Sequence, residues 1–445
     1  MIGLKSTRVI VVDDEEREAL PIMKALAKKG IPCAYFHGAN IKELPEEKDK
    51  FSGIRLAVLD MDLVPGVGDE KSKISTLISC LERLLSPDNG PYIALIWTNN
   101  PLLRNQFEEN IFSNSGLPNP IDIIMLTKAE CKKEGEFDIG IIENKIENTF
   151  RSFSPLKIIQ AWEEGNFKAT TEVSNTLSNQ IPDEKDPKKW RDAWKLKTLN
   201  LMYALAKEVA GENLNKNSVL VGLCNSLNPL HSDRMELFTT DLSASLASEA
   251  EELLNYSQDC GPERKARINT MLHLAFEENS TYATGNVYRF ESDKVPPWGL
   301  SYDNLLSDLL QKEYYESEKK KKEISSVSKY VLLEVSASCD HAQRNIRAAR
   351  FLTGLIVPED EQKKIKKPKD YSNFIWRIGP LYIQKEDLKG LYYLYFSARH
   401  LVTCSVDEAR EMKPFARLRS QALTDIQSWF VQHASRPGLV LLKDQ

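Results

Sequence analysis

The sequence predicts an α/β fold class, in which a doubly wound parallel sheet of five strands occupies residues 1–150. A helical module over residues 155–278 and an α+β module over residues 279–445, with a small antiparallel sheet and a C-terminal helix, are predicted to follow. Two observations predict the parallel sheet. Five short apolar runs alternate with segments of helical periodicity, and polar residues directly follow four of these runs. Alternating strands and helices are typical of parallel sheets covered on both faces.

Each element of this prediction has its own pattern. The predicted strands are Arg8–Val12, Cys33–Phe36, Leu56–Leu59, Tyr92–Trp97 and Ile121–Leu126. The predicted helices, where apolar residues recur at helical spacing, are Arg17–Lys29, Lys73–Leu85, Leu102–Phe112 and a segment from about Ile141. The composition of Asn105–Pro120 indicates an extended loop before the fifth strand.

The remaining two thirds of the chain carry weaker patterns. Trp190, Trp194, Leu201 and Leu205 form an apolar stripe at helical spacing, which predicts a helix packed into the core. Val331–Ser338 predicts a strand, and Lys413–His433 predicts one long C-terminal helix.

Charge and composition exclude several classes of protein. The net charge is -5, and residues 1–150 hold 18 basic and 24 acidic residues, against 41 and 40 in the remainder. Neither part has the broad basic field that nucleic acid requires, so no nucleic-acid partner is expected. No apolar run is long enough to span a membrane, and the seven cysteines are widely scattered. We therefore expect a protein of the reducing cytoplasm with no membrane partner.

Polar side chains cluster where the predicted strands end. They are Asp13, Asp14, Asp60, Asp62, Thr98 and Lys128. The carboxyl ends of parallel strands form the ligand-binding edge of such a sheet. Carboxylates gathered there repel one another unless a cation joins them, and Mg²⁺ or Mn²⁺ prefers such oxygen ligands. A metal ion, an ammonium group and a hydroxyl together suit the oxygens of a phosphoryl group, with one carboxylate as the nucleophile.

Four segments resemble the receiver domain of two-component response regulators: VIVVDDEE (9–16), LAVLDMDLVPG (56–66), IALIWTNN (93–100) and IIMLTKAE (123–130). The resemblance covers about 150 residues and implies a flavodoxin-like fold. It implies that Asp60 is the phosphoacceptor and that Asp14 binds the metal directly, while Asp13 binds it through water. By the same resemblance, the backbone carbonyl of Asp62 is a metal ligand. Thr98 is then the switch hydroxyl, and Lys128 pairs with the phosphoryl group.

The sequence departs from the receiver pattern at two positions that matter. Pro65 lies five residues after Asp60, where the family usually has proline at four, so Asp62 stays open as an alternative phosphoacceptor. Met125 stands where the family has an aromatic residue that couples phosphorylation to output. The site chemistry is therefore expected to be intact, whereas the usual output path is not.

These patterns predict a phosphoacceptor protein without catalytic output. Its partners would be a histidine kinase and a second receiver or effector protein, and a homodimer is left open. It would act as a phosphate sink or as a signalling relay, and receiver proteins with large extensions resemble components of bacterial antiviral two-component systems. The alternatives are a degenerate receiver that serves as an interaction scaffold and a receiver-regulated effector enzyme in residues 279–445.

The effector alternative depends on a few residues of the last module. Cys339, His341, His400 and Cys404 offer two pairs of zinc ligands, although no CxxC motif is present. Cys339 and His341 also offer a nucleophile and base, which would share a face if the segment were a strand.

Overall fold

The computed structural model describes residues 7–434 except 39, 41–43, 65–68, 115, 152–153, 182–184, 187, 212–213, 217, 257–259, 277–281, 291–301, 343–344, 367–373 and 386. Pro65 therefore lies outside the described residues. The chain folds into two compact units. The first comprises residues 1–167 and 238–255, and the second comprises residues 168–237 and 256–445. The predicted boundaries of three modules stay predictions.

The first unit is built on a five-stranded parallel sheet. Its strands are β1 (Val9–Asp13), β2 (Cys33–His37), β3 (Leu56–Leu59), β4 (Ile93–Thr98) and β5 (Asp122–Thr127). They lie in the order β2-β1-β3-β4-β5, and every neighbouring pair is parallel. The predicted fold class is thereby confirmed. The strand order places the carboxyl ends of β1, β3, β4 and β5 side by side at one edge.

Helices cover both faces of this sheet. They are α1 (Glu16–Lys28), α2 (Glu70–Leu84), α3 (Arg104–Ser113) and α4 (Ile139–Arg151), and a short hairpin of β6 (Lys132–Lys133) and β7 (Glu136–Phe137) precedes α4. Alternate strand residues enter two separate cores. Ile10 and Leu59 pack with α2 and α3, whereas Val11 and Val58 pack with α1 and α4. Because side chains alternate across a strand, these fully apolar runs bury both faces.

One loop expectation is wrong in this unit. The extended loop predicted over Asn105–Pro120 begins only after Ser113, because α3 occupies residues 104–113. Phe107 and Ile111, four residues apart, bury one face of this helix against the sheet. The helix predicted over Leu102–Phe112 from its apolar spacing is therefore present, and the loop is confined to the residues after it.

A helical stretch follows the sheet. It comprises α5 (Ser154–Asn179), α6 (Trp190–Ala210), α7 (Val219–Ser245), α8 (Ala247–Asn255) and α9 (Pro262–His273). Trp190 and Trp194, predicted to be core residues, are each 50% exposed. The helix predicted from this stripe is present as α6, but the prediction that its tryptophans are buried is wrong. Within the described residues, none of the helices combines the length and apolar content that a membrane crossing needs.

The second unit contains a seven-stranded antiparallel sheet, larger than the small sheet predicted. Its strands are β8 (Leu274–Ala275), β9 (Asn286–Phe290), β10 (Lys329–Glu334), β11 (Ala349–Pro358), β12 (Ile375–Lys385), β13 (Leu388–Cys404) and β14 (Pro414–Leu418), in the order β12-β13-β11-β10-β9-β14-β8. The helices among them are α10 (Tyr302–Leu309), α11 (Lys312–Tyr315), α12 (Glu318–Val327), α13 (Ser338–Ala342), α14 (Val406–Glu411) and α15 (Ser420–Ala434).

Two predictions in this unit need correction. The helix predicted over Lys413–His433 is wrong at its start, where β14 pairs with β8 and β9 before α15 begins at Ser420. Pro414 is the first residue of β14, a position that strands tolerate. The strand predicted over Val331–Ser338 ends at Glu334, and Ser338 begins α13.

Candidate functional site

Four buried polar residues lie at the adjoining strand ends of the first unit. Asp13 is the last residue of β1, Asp60 follows β3, Thr98 ends β4 and Lys128 follows β5. All four are buried, with exposed fractions of 0%, 5%, 1% and 1% in that order. The apolar strands fix this placement, because each run must stay between the two helical layers until its last residue. The predicted convergence of residues from four strand ends is thus present in the structure.

Lys128 is the centre of this cluster. Its Nζ donates hydrogen bonds to Asp60 Oδ2 at 2.7 Å and to Asp13 Oδ2 at 3.3 Å, and it also contacts Glu18. Burial alone would lower the pKa of Lys128, but the charges of Asp60, Glu18 and Asp13 outweigh it and raise that pKa above its ordinary value. The ammonium group therefore stays charged. It would remain a cation wherever an anionic group approached Asp60.

The carboxylates of the cluster are crowded. Burial raises the pKa of Asp13 to about 7, and repulsion from Asp60 acts in the same direction, while Lys128 opposes both. Burial and Asp60 also raise the pKa of Asp14, which is only partly buried. Asp13 Oδ1 accepts a hydrogen bond from the Glu15 amide at 2.8 Å, which fixes the side chain. One lysine thus leaves this group of carboxylates short of positive charge.

The two candidate phosphoacceptors have different surroundings. Asp60 contacts Lys128, and its Oδ1 accepts a hydrogen bond from the Asp62 amide at 3.2 Å. The Asp62 side chain is directed elsewhere, since its Oδ2 accepts a hydrogen bond from Lys73 of α2 at 2.6 Å. The backbone amide of Asp62 therefore contacts Asp60, whereas the Asp62 carboxylate forms a separate ion pair with Lys73.

The strand end of β4 is tied to that of β5. The Lys128 amide donates to the Thr98 carbonyl at 3.0 Å, and Thr98 Oγ1 accepts from the Asn100 amide at 3.0 Å. The hydroxyl of Thr98 keeps its own proton in this arrangement, so it can donate to an oxygen nearby. Met125, further back on β5, is partly buried and packs against the apolar core on the α2–α3 face.

Glu18 is a member of the site that the sequence reasoning missed. Ligand oxygens of Asp13, Glu18 and Asp60 lie within 4.8 Å of one another, whereas among the described residues Asp14 and Asp62 do not belong to this group. Glu18 lies four residues before the buried Ile22, so helical periodicity would have placed it on the inner face of α1. The three carboxylates fit a hard divalent cation such as Mg²⁺ in donor type and charge.

The proposed cysteine and histidine sites of the last module have other partners. His341 Nε2 contacts the buried Glu334 Oε2 at 3.0 Å, and His400 Nε2 contacts Asp308 Oδ2 at 2.9 Å. Cys404 donates to the neighbouring carbonyl of Ser405 at 3.3 Å. Within the described part of the chain, these residues are not among those that converge in the way a metal ion needs.

The condition for pairing Cys339 with His341, a strand that would put both on one face, is not met. Both residues lie in α13, and residues two apart on a helix do not face each other. The side chain of Cys339 is outside the described part of the structure.

Comparisons with known proteins add little to this description. No protein-family model matches the chain, and no curated protein matches it. One solved structure that it resembles is a response regulator protein from Burkholderia pseudomallei with a phosphorylated aspartic acid, a calcium ion and citrate. That similarity has 15% identity and a TM-score of 0.19, and it covers 39% of this chain and 89% of the other.

A second similar structure is a de novo designed Rossmann 2x3 fold protein. It has 10% identity and a TM-score of 0.19, and the match covers 33% of this chain and 91% of the designed protein. Likenesses this low carry no functional argument, so the case for the receiver-like fold depends on the strand order and helical layers of the chain itself.

Proposed function

We propose that the first unit accepts a phosphoryl group from a histidine kinase onto Asp60, and that the protein acts without a catalytic output. The observation that carries the proposal is the buried contact of Lys128 with Asp60 at 2.7 Å, beside Asp13 and Thr98. A fully buried ammonium group next to a carboxylate nucleophile supplies positive charge where negative charge collects during phosphoryl transfer.

The transfer needs few parts from this chain. An oxygen of Asp60 forms the new bond to phosphorus, and the bond from phosphorus to the kinase histidine breaks. The electron pair of that bond stays on the imidazole nitrogen, which takes up a proton from water. Lys128 and the Thr98 hydroxyl are placed to meet the phosphoryl oxygens at the ends of β5 and β4.

A divalent cation fits the carboxylates of this site. Asp13, Glu18 and Asp60, whose ligand oxygens lie within 4.8 Å of one another, would hold Mg²⁺ or Mn²⁺. The resemblance to receiver domains adds Asp14 and the backbone carbonyl of Asp62 to this set. When bound, the ion supplies charge that offsets the carboxylates and the incoming phosphoryl group. The raised pKa of Asp13 supports this fit, because a carboxylate buried without enough counter-charge gains from a cation.

Met125 favours a phosphate sink over a conventional relay. A switch needs an element with different contacts in two states, and a partly buried thioether in an apolar core has no hydroxyl to exchange between partners. A sink needs only Asp60 and the groups around it. Hydrogen exchange with and without beryllofluoride, a mimic of the acyl phosphate, tests this choice. Changes confined to the loops after β3, β4 and β5 support the sink, and broad changes in α6 and α7 support a relay.

Phosphotransfer from the purified cognate kinase tests the proposal as a whole. We expect hydroxylamine-sensitive labelling that requires Mg²⁺ and is lost in Asp60→Asn. The resemblance also suggests a role in antiphage defence, and a plaque assay comparing the wild type with Asp60→Asn tests that role. Equal protection of cells by the wild type and the Asp60→Asn variant would favour the degenerate-scaffold alternative.

The contact between Glu334 and His341 in the second unit favours the effector-enzyme alternative. Glu334 is fully buried and accepts hydrogen bonds from Tyr282 Oη at 3.1 Å and the Ser336 amide at 3.1 Å, besides its contact with His341. A carboxylate that orients a histidine is one component of a general base. If residues 279–445 are an effector, His341→Ala should abolish the biological effect while leaving phosphotransfer to Asp60 intact.

A further inference from the structure

Helices α6 and α7 of the second unit expose an unusual amount of apolar surface. Large side chains of α6 are 39–62% exposed, namely Trp190, Trp194, Leu196, Leu199, Met202 and Tyr203. In the part of α7 that belongs to this unit, four more are 47–66% exposed, Leu220 and Leu230 among them. A helix with apolar residues on several faces is normally buried in a larger assembly. We call these ten exposed side chains the α6–α7 surface.

The two helices approach each other closely at small residues. A Cβ atom on Gly222 of α7 would lie only 2.8 Å from the Ala206 carbonyl oxygen and 3.3 Å from the Ala210 Cβ, so the helices meet closely through small residues. Ser226 Oγ donates to the Leu205 carbonyl at 2.7 Å beside this contact. Close approach at small residues fixes the helix pair, while the large apolar side chains named above keep 39–66% of their surface exposed.

The exposed area is large enough for a stable interface. Taking ~150–250 Å² for a fully exposed large side chain, the ten residues present on the order of 1,000 Å² of apolar surface. A stable protein interface buries about 800 Å² on each partner.

The charges of the two helices indicate what covers the surface. Helix α6 has four basic and two acidic residues, a net charge of +2, and the part of α7 in the second unit (residues 219–237) has one basic and two acidic residues, a net charge of -1. In a twofold-symmetric dimer, the same patch on each copy meets itself, so α6 of one copy can lie against α7 of the other. Both such contacts would then join opposite charges, and complementary charge fixes the register of an interface.

We propose that the α6–α7 surface is the dimerisation interface of this protein, and that its occupant is a second copy of the same chain in twofold symmetry. This inference does not depend on phosphotransfer to Asp60. A second copy would bury the apolar stripe of α6, which one chain by itself leaves about half exposed. A dimer also explains why the long helices remain helical although few of their residues are buried within one chain.

Sedimentation equilibrium of the full-length chain tests the proposal. We expect a mass of twice 50.6 kDa that dissociates on dilution. The double variant Trp194→Glu/Leu199→Glu should be monomeric, with an unchanged far-ultraviolet circular dichroism spectrum. The matched control is Leu102→Glu, because Leu102 is 82% exposed but lies outside the surface, and it should remain dimeric. A monomeric wild type, or a double variant that still dimerises, would overturn the proposal.

Charge reversal tests the symmetry. In one chain Arg191 and Lys195 of α6 are replaced by Glu, and in another Asp233 and Glu236 of α7 are replaced by Lys; all four residues are exposed. Each variant alone should dimerise more weakly than the wild type, because like charges then face each other. A mixture should form the mixed dimer preferentially, since both of its contacts again join opposite charges. Equal self-association of both variants, or no mixed dimer, would show that α6 does not meet α7 of a second copy.

Discussion

Replacing Lys128 by Met should destabilise the first unit strongly, and Mg²⁺ should restore part of the loss. Lys128 is 1% exposed and contacts three carboxylates, so its removal leaves buried charges without a counter-ion. Breaking a buried ion pair from one side typically costs ~3–5 kcal/mol. Protonation of Asp13, whose pKa is raised to about 7, relieves part of this repulsion, so the cost should be larger at pH 8 than at pH 6.

Differential scanning calorimetry of the full chain measures this effect. A loss of ~3 kcal/mol should lower the midpoint of the first unit's transition by roughly 10 °C, because 1 kcal/mol shifts a domain of this size by about 2–4 °C. That transition is recognised as the one that Mg²⁺ moves upward, since a ligand stabilises only the unit that binds it. Mg²⁺ should raise the midpoint more in Lys128→Met than in the wild type.

Lys145→Met is the matched control for this prediction. Lys145 forms an ion pair with Glu130 at 3.1 Å on the surface of the same unit, where both side chains are about half exposed. Exposed pairs contribute ~0–1 kcal/mol, so the control should move the midpoint little. If Lys128→Met is no more destabilising than Lys145→Met, Lys128 does not balance the buried carboxylates and the electrostatic account of the site is wrong.

Three further predictions concern individual carboxylates. Asp60→Asn should abolish phosphoryl labelling and Asp62→Asn should retain it, as judged by hydroxylamine-sensitive autoradiography; the reverse result would make Asp62 the acceptor. The folded-state pKa of Asp13 lies above its ordinary value of 3.8, so stability without metal should fall as the pH rises from about 4 through 7, and Mg²⁺ should flatten that slope in pH-dependent melts. Glu18→Gln frees Lys128 from one carboxylate and should accelerate labelling roughly threefold to tenfold at saturating Mg²⁺, whereas Glu16→Gln, an exposed change in the same turn, should not.

The sheet of the first unit could be predicted because its three central strands, β1, β3 and β4, are buried on both faces. Runs such as Leu56–Leu59 and Ile93–Ile96 are apolar without interruption, and a run of that kind between helices has few other structures available. The site followed from the same logic, since polar residues at successive strand ends must share one edge. Glu18 was not predicted because it lies on a helix just after a run of four acidic residues. Only its spacing of four residues from the buried Ile22 indicates that its side chain faces the sheet.

The second unit was less predictable for a physical reason. In an antiparallel sheet the strands are interrupted by polar positions and bulges. Strand β13 runs from Leu388 to Cys404 with a register shift against β11, so its sequence contains no single uninterrupted apolar run. The stripe of α6 correctly predicted a helix, but an apolar stripe states only that burial is required. It does not distinguish burial within the chain from burial against a second chain, and the half-exposed Trp190 and Trp194 show that the difference matters.

The buried charges of the first unit also bear on the degenerate-scaffold alternative. A scaffold needs only a stable fold, and replacing a buried ionic cluster by apolar residues of similar size is often neutral or stabilising. Asp13, Asp60 and Lys128 are all buried, yet within the described residues Lys128 alone pairs with Asp13, Glu18 and Asp60, so these described charges are not balanced for stability. An arrangement that is short of positive charge in the resting chain gains from a bound cation. The shortage of positive charge is therefore better explained by the proposed metal-assisted phosphoryl transfer than by a scaffold.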